Sequence, residues 1–272
     1  MKLQEKLFEC QQKGKALLAC NFYNFETLKS ILLAAKKTKQ PIILQATKST
    51  IDYMGLAMTV KMAKTGLEQY EVEGWLHLDH CTTIELITAA LGAGFDSVMI
   101  DASEQPLDFN LKITRKVVEL AKKYNANVEA ELGYIAKLGQ SHESAGFTKP
   151  EEARKFVDST GIDALAVAIG SAHGFYKQTP KLDLDRLSEI RQATEAFLVL
   201  HGSSGIPHQQ LTEAVSRGIC KINLATEIKN IFMQSLSDRL HHTDEIDLRK
   251  VFPHATESAS SLIQEKLNCI KS

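Results

Sequence analysis

The chain has 272 residues, 44% hydrophobic and 24% charged, with a formal net charge of −1 at pH 7. This suits one large core or two small ones, and gives no electrostatic basis for binding nucleic acid or an anionic membrane. No apolar run of 18 residues is present to span a bilayer, and MKLQEKLFECQQKGK has charges throughout and no apolar stretch of the secretory kind. The odd, widely spaced set Cys10, Cys20, Cys81, Cys220 and Cys269 has no CxxC pair, so it reads as reduced thiols in a cytoplasmic protein.

In chain order, residues 1–14 are expected to form a helix ahead of the first strand. Apolar or β-branched runs then recur at 16–22 (ALLACNF), 41–47 (PIILQAT), 75–80 (WLHLDH), 97–102 (SVMIDA), 127–133 (NVEAELG), 164–170 (ALAVAIG), 197–203 (FLVLHGS) and 221–226 (KINLAT). Segments with helical periodicity separate them, among them ETLKSILLAAKK, YMGLAMTVKMAKTGLEQY, LKITRKVVELAKKY, LDRLSEIRQAT and HQQLTEAVSRG. The helix ahead of ALAVAIG opens on Thr148-Lys149-Pro150-Glu151, which reads as a capping box, and stops at Thr160-Gly161. Residues 253–270 are expected to form a terminal helix. Eight alternations of strand and helix predict a parallel sheet with crossover helices. At this length the (β/α)8 TIM barrel fits best, as one domain over 1–272 with extra N- and C-terminal helices. A doubly wound open sheet is the alternative; barrel closure is favoured because it leaves no exposed edge.

A barrel gathers its chemistry at the C-terminal ends of its strands, and the polar residues fall there. In GWLHLDHC (74–81), strand alternation puts His77 and Asp79 on one face. Asp79 and His80 end the third strand, and Asp101 ends the fourth. Glu129 and Glu131 lie in the fifth, His173 follows the sixth, His201 ends the seventh, and Asn223 and Thr226 lie in the eighth. His80, His173 and His201 are a plausible zinc set, since catalytic zinc keeps three protein ligands and an open position. Each alone could equally be a hydrogen-bonded core or rim histidine. Gly170-Ser171-Ala172-His173-Gly174, His201-Gly202-Ser203-Ser204-Gly205 and Asn223-Leu224-Ala225-Thr226 offer backbone N–H groups for a phosphate; tight turns alone would also explain their glycines.

The series HLDHC, VEAELG, LAVAIGSAHG, LVLHGSSG and KINLATE resembles the class II, metal-dependent fructose/tagatose-bisphosphate aldolase family. The segment ACNFYNFETLKSILLAAKKTKQPIILQAT resembles that family's first strand–helix–strand unit, and the likeness covers roughly residues 15–235. It implies a zinc aldolase that reversibly cleaves a ketose phosphate, such as fructose or tagatose 1,6-bisphosphate or a related ketose 1-phosphate, to dihydroxyacetone phosphate and an aldehyde. By match to its motifs, His80, His173 and His201 bind Zn2+ and Asp79 is the general acid/base. Gly174, Gly202, Ser203, Ser204, Asn223, Ala225 and Thr226 hold the phosphate and the enediolate end. Asp101 and Glu131 offer a supporting or alternative metal position. The resemblance also implies a monovalent cation (Na+ or K+) near the phosphate loops and a homodimer or homotetramer. His77 reads as an inward barrel residue with a supporting hydrogen bond.

Two departures stand out. After VEAELG the family carries a Gly-Gly-x-Glu-Asp type loop; here the chain reads YIAKLGQSHESAGF (134–147), with His142 and Glu143 as the nearest substitutes. The family's DPR motif is replaced by Asp247-Leu248-Arg249, which leaves Arg249 as a candidate distal-phosphate contact, while His241-His242 reads as solvent-facing. Two other functions compete: a non-catalytic sugar-phosphate-binding or partner subunit of the same fold, and a metal-dependent barrel hydrolase. The hydrolase would place an HxH pair in its first strand, and ALLACNF has no histidine.

Overall fold

The computed structural model describes residues 1–133, 135, 146–176 and 180–270. Eight parallel strands, β1 (Leu17–Asn21), β2 (Ile42–Thr47), β3 (Gly74–Cys81), β4 (Ser97–Ile100), β5 (Asn127–Leu132), β6 (Ala164–Val167), β7 (Phe197–Leu200) and β8 (Ile219–Leu224), close into a barrel in sequence order. The TIM-barrel expectation holds. Several strands stop short of their apolar runs: β8 ends at Leu224, so Ala225 and Thr226 lie beyond it at the start of a helix.

The two side-chain parities of the strands divide the molecule. Leu18, Cys20, Leu44, Leu76, Leu78, Leu165, Val167, Leu198, Leu200, Ile222 and Leu224 join one core with the surrounding helices. The opposite parity fills the barrel. Its lower layers are apolar, with Leu17, Ala19, Ile43, Trp75, Ala164, Ala166, Phe197 and Val199, and the expected N-terminal helix α1 (Leu3–Gln12) packs Leu3, Leu7 and Cys10 against them. Further up the strands the interior turns polar: Asn21, Gln45, His77, Asp79, Glu129, Glu131, Lys221 and Asn223 are all buried. Strand periodicity carries this change, because β1 runs Leu17, Ala19, Asn21 and β3 runs Trp75, His77, Asp79 up the same face.

Helix boundaries depart from periodicity where backbone geometry intervenes. The long segment 53–70 splits at Gly55 (φ 84°) into α3 (Lys48–Met54) and α4 (Leu56–Tyr70). The terminal helix begins earlier than expected, as α11 (Leu248–Ile270). In α7 (Pro150–Thr160) the N-cap is Lys149 and no side chain caps it. Thr148 is therefore not the capping residue. Its hydroxyl donates to the Leu132 carbonyl and accepts from the Ala168 N–H, tying the ends of β5 and β6. The expected stop at Gly161 (φ 70°) is present.

Candidate active site

The geometry at the mouth begins in β3. The pairing of β3 with β4 slips between Leu78 and Cys81, and within that slip His80 takes the left-handed conformation at φ 46°. A non-glycine residue at positive φ is uncommon. The slip lets two consecutive residues, Asp79 and His80, both serve the mouth, which plain alternation forbids.

Three imidazoles from three strand ends converge. Ring centroids lie 4.7 Å apart for His80 and His201, 4.9 Å for His80 and His173, and 5.9 Å for His173 and His201. One potential ligand atom from each lies within 4.8 Å of the others. His80 Nδ1 is 2.7 Å from Asp101 Oδ2, so its Nε2 faces the cluster, 3.0 Å from His201 Nδ1. His80, Asp101 and Glu131 form a second group with the same spacing.

The electrostatics suit a cation. Burial disfavours charge on His80, but Asp79, Asp101 and Glu131 outweigh it and lift its pKa to about 9. Burial pushes Glu131 up to about 8, against the pull of His80. Burial opposes ionisation of Asp101 too, yet hydrogen bonds from His80 and Ser103 hold it well below the usual carboxylate range. His201, fully buried and beside His80, is driven well below the usual imidazole value and stays neutral, as a ligand must. One buried oxygen of Glu131, Oε2, has no hydrogen-bond partner. A neutral imidazole at His201, two more at His80 and His173, and a Glu131 oxygen without a hydrogen bond form a donor set that fits zinc, which would displace the proton that the surrounding carboxylates favour on His80.

Asp79 is buried beside this cluster. Asn21 Nδ2 donates to its Oδ2 at 2.9 Å and Asn223 Nδ2 to its Oδ1 at 3.3 Å. Asp79, His80 and His173 face a cavity of about 260 Å³ whose far wall is Gly174, Gly202, Ser203, Ser204, Asn223, Ala225 and Thr226. The helix α10 (Thr226–His241) starts there with no side-chain cap, and Ser204 Oγ accepts the Glu227 N–H at 3.2 Å. Asp101 and Glu131 line a neighbouring cavity of about 450 Å³, which shares His80 and His173 with the first. The anticipated metal, acid/base and phosphate-loop residues thus lie in or directly against one mouth.

Arg249 does not. α10 and α11 run antiparallel, with Glu227 on Lys266 at 3.0 Å and Ser235 on Ser258 at 2.9 Å. Arg249 therefore sits at the far end of α10, on the order of 24 Å along the helix from Thr226, exposed and paired with Asp247. Within one chain it is removed from the phosphate loops. His241 and His242 are exposed, as expected. His142 and Glu143 lie outside the described residues.

Sequence reasoning missed several residues. Asn21, Tyr23, Thr47, Ser49 and Lys229 line the same cavity; position at or just after the ends of β1 and β2 was the available signal for the first four, and Lys229 lies in the first turn of α10 after β8. Tyr176 was also missed. Its hydroxyl accepts from Ala172 N–H at 2.7 Å and donates to the Gly202 carbonyl at 2.8 Å, which joins the loops after β6 and β7.

The chain matches the family model described as fructose-bisphosphate aldolase class-II over residues 1–272. It is similar to the YdjI aldolase from Escherichia coli K12, at 28% identity and TM-score 0.87, over 100% of this chain and 97% of that one. A putative fructose-1,6-bisphosphate aldolase from Coccidioides immitis is 26% identical at TM-score 0.90, over 99% of this chain and 96% of that one. A fructose-bisphosphate aldolase from Campylobacter jejuni, 22% identical at TM-score 0.85 over 98% and 94%, shares the fold.

Proposed function

The chain belongs to the class-II fructose-bisphosphate aldolase family, and from that premise we propose that it is a zinc-dependent aldolase. Its reaction is the reversible cleavage of a ketose phosphate to dihydroxyacetone phosphate and an aldehyde. The observation that carries the reading is the convergence of His80, His173 and His201 beside a buried carboxylate and an anion-ready helix start.

His80, His173 and His201 would hold the ion, with Asp101 and Glu131 supporting or offering an alternative position. When bound, zinc supplies Lewis-acid stabilisation of the negative charge that develops on the ketose oxygens as the C–C bond breaks. Asp79 takes the proton of the hydroxyl one carbon beyond the scissile bond. That oxygen then becomes the aldehyde carbonyl while the bonding pair passes to the enediolate half. Asn21 and Asn223 fix both oxygens of Asp79 in place for that transfer. Gly174, Gly202, Ser203, Ser204, Asn223, Ala225 and Thr226 grip the phosphate and the enediolate end. Their task is orientation, because holding reacting groups in place removes a large entropic part of the barrier. A monovalent cation near the phosphate loops belongs to the same reading. So do a single domain over 1–272, a cytoplasmic setting and a homo-oligomeric state.

The test is a panel of ketose 1-phosphates and 1,6-bisphosphates, fructose and tagatose included, assayed for release of dihydroxyacetone phosphate with and without a chelator. Release that stops on chelation and returns with zinc is expected. Asp79→Ala should lower kcat by roughly 10²–10⁴-fold with bound zinc unchanged. Zinc-loaded protein that cleaves nothing in the panel would overturn the proposal, and turnover of an ester or amide instead would point to the hydrolase.

A further inference from the structure

Beneath the three imidazoles lies a buried polar layer that the reaction does not use. Glu129 on β5 accepts from Lys221 Nζ on β8 at 2.7 Å through Oε2, and its Oε1 lies 2.8 Å from His201 Nε2. His77 on β3 places its Nε2 3.9 Å from the same Oε2, while its Nδ1 meets Ser97 Oγ on β4 at 2.8 Å. Glu129, Lys221, His77 and His201 are all at most 2% exposed.

This layer is hard to explain by stability. A buried ion pair pays desolvation for both charges, and replacing it with apolar residues of similar volume is often neutral or stabilising. The layers just below, built from Leu17, Ala19, Ile43 and Val199, fill the same barrel with hydrocarbon. Position gives the better explanation. A carboxylate can only accept, so Oε1 of Glu129 requires the hydrogen of His201 on Nε2. Asn223 Nδ2 also lies 3.0 Å from that nitrogen and carries two hydrogens, of which Asp79 Oδ1 accepts one at 3.3 Å; the nearer, acceptor-only Glu129 Oε1 at 2.8 Å is the partner that places the hydrogen on Nε2. His201 Nδ1 is then the nitrogen with the lone pair, and it lies in the cluster, 3.0 Å from His80 Nε2 and 3.6 Å from Glu131 Oε2, beyond hydrogen-bond distance of that carboxylate. A carboxylate behind a ligating imidazole sets its tautomer and ring orientation in this way.

We propose that Lys221 and Glu129 are positioning residues for the metal site: Glu129 holds His201 with Nδ1 turned into the cluster, and Lys221 holds Glu129. The proposal rests on the reading of His80, His173 and His201 as the metal ligands. It assigns Lys221 an effect on metal affinity although it touches neither metal ligand set nor substrate cavity.

The test compares zinc affinity, by competition with a chromophoric chelator, in the wild type, His201→Ala, Lys221→Met and the double variant Glu129→Leu/Lys221→Met. The double variant removes both charges together and is the one expected to keep the fold, checked by circular dichroism and thermal melting. It should nonetheless bind zinc roughly 10–100-fold more weakly, with Lys221→Met affected in the same direction. A folded double variant with wild-type affinity would overturn the proposal. Histidine-ring ¹⁵N spectra of the metal-free wild type give an independent readout that needs no variant to fold: the Nε2–H form of His201 is expected, and the Nδ1–H form overturns the proposal. If the wild type binds no zinc, or His201→Ala binds it equally well, the metal-site reading fails instead. The tautomer spectrum still decides the geometry in that case.

Discussion

Gly202 shows how much a single residue can control at this mouth. It sits at φ 65°, and a Cβ added there would run into the Ala172 carbonyl. The loop after β7 can approach the loop after β6 only because there is no side chain, and that approach brings Ser203 and Ser204 to the cavity. Gly202→Ala adds the strain of a left-handed alanine, about 1–3 kcal/mol, to overpacking of similar size. A loss of about 2–6 kcal/mol in chemical denaturation is expected, together with a raised KM for phosphorylated ketoses; an unchanged denaturation midpoint would show that the loop relaxes freely. The pairing of His201 with Gly202 was visible in the sequence because each residue type has a separate signature. The positive φ of His80 was not. It follows from the slipped pairing of β3 with β4, a relation between two strands that no local pattern encodes. Glu129 and Lys221 were hidden for a similar reason: a carboxylate on β5 and an ammonium on β8 become a pair only when the barrel closes.

At the scale of elements, existence was legible and edges were not. Alternating apolar runs located all eight strands, since burial against helices and packing inside the barrel both demand apolar side chains. Where a run continued beyond the last ladder bond, as at Ala225 and Thr226, hydropathy could not mark the change from strand to helix. Thr148 was misread because Thr-x-x-Glu satisfies a local capping rule, and a tertiary demand outcompeted it. Its hydroxyl is the bridge by which β5 and β6 end in register beside Glu131 and His173. Thr148→Val keeps the shape and leaves the Leu132 carbonyl and the Ala168 N–H without this partner in a buried setting. At about 1–3 kcal/mol for each of the two orphaned groups, a loss of about 2–6 kcal/mol is expected in urea denaturation, and Thr148→Ser should recover most of it. A simple N-cap role would predict only about 1 kcal/mol, so the size of the loss separates the two.

For the whole molecule, closure is what converts scattered residues into a site. His80, His173 and His201 are separated by 93 and 28 positions, and nothing in their local spacing suggests a shared ligand; the repeat of eight strand–helix units does, by placing every strand end on one rim. The same architecture sets how the protein should respond when the proposed metal is removed. The barrel is held by two apolar cores, one among the helices and one around α1 at the opposite mouth from the histidines. Neither contains a proposed metal ligand, so ion binding would be linked to folding only as a ligand is, by RT ln(1 + [L]/Kd), about 2.7 kcal/mol at a hundredfold excess over Kd. For a chain of this size about 2–4 °C accompanies each kcal/mol. Chelation should therefore abolish aldol cleavage and lower the melting temperature by roughly 5–10 °C under those conditions, while the far-ultraviolet circular dichroism at 25 °C stays the same. Loss of the circular dichroism signal on chelation would instead make the ion a structural element of the barrel, and the division of labour between a self-supporting lower core and a metal-bearing rim would have to be abandoned.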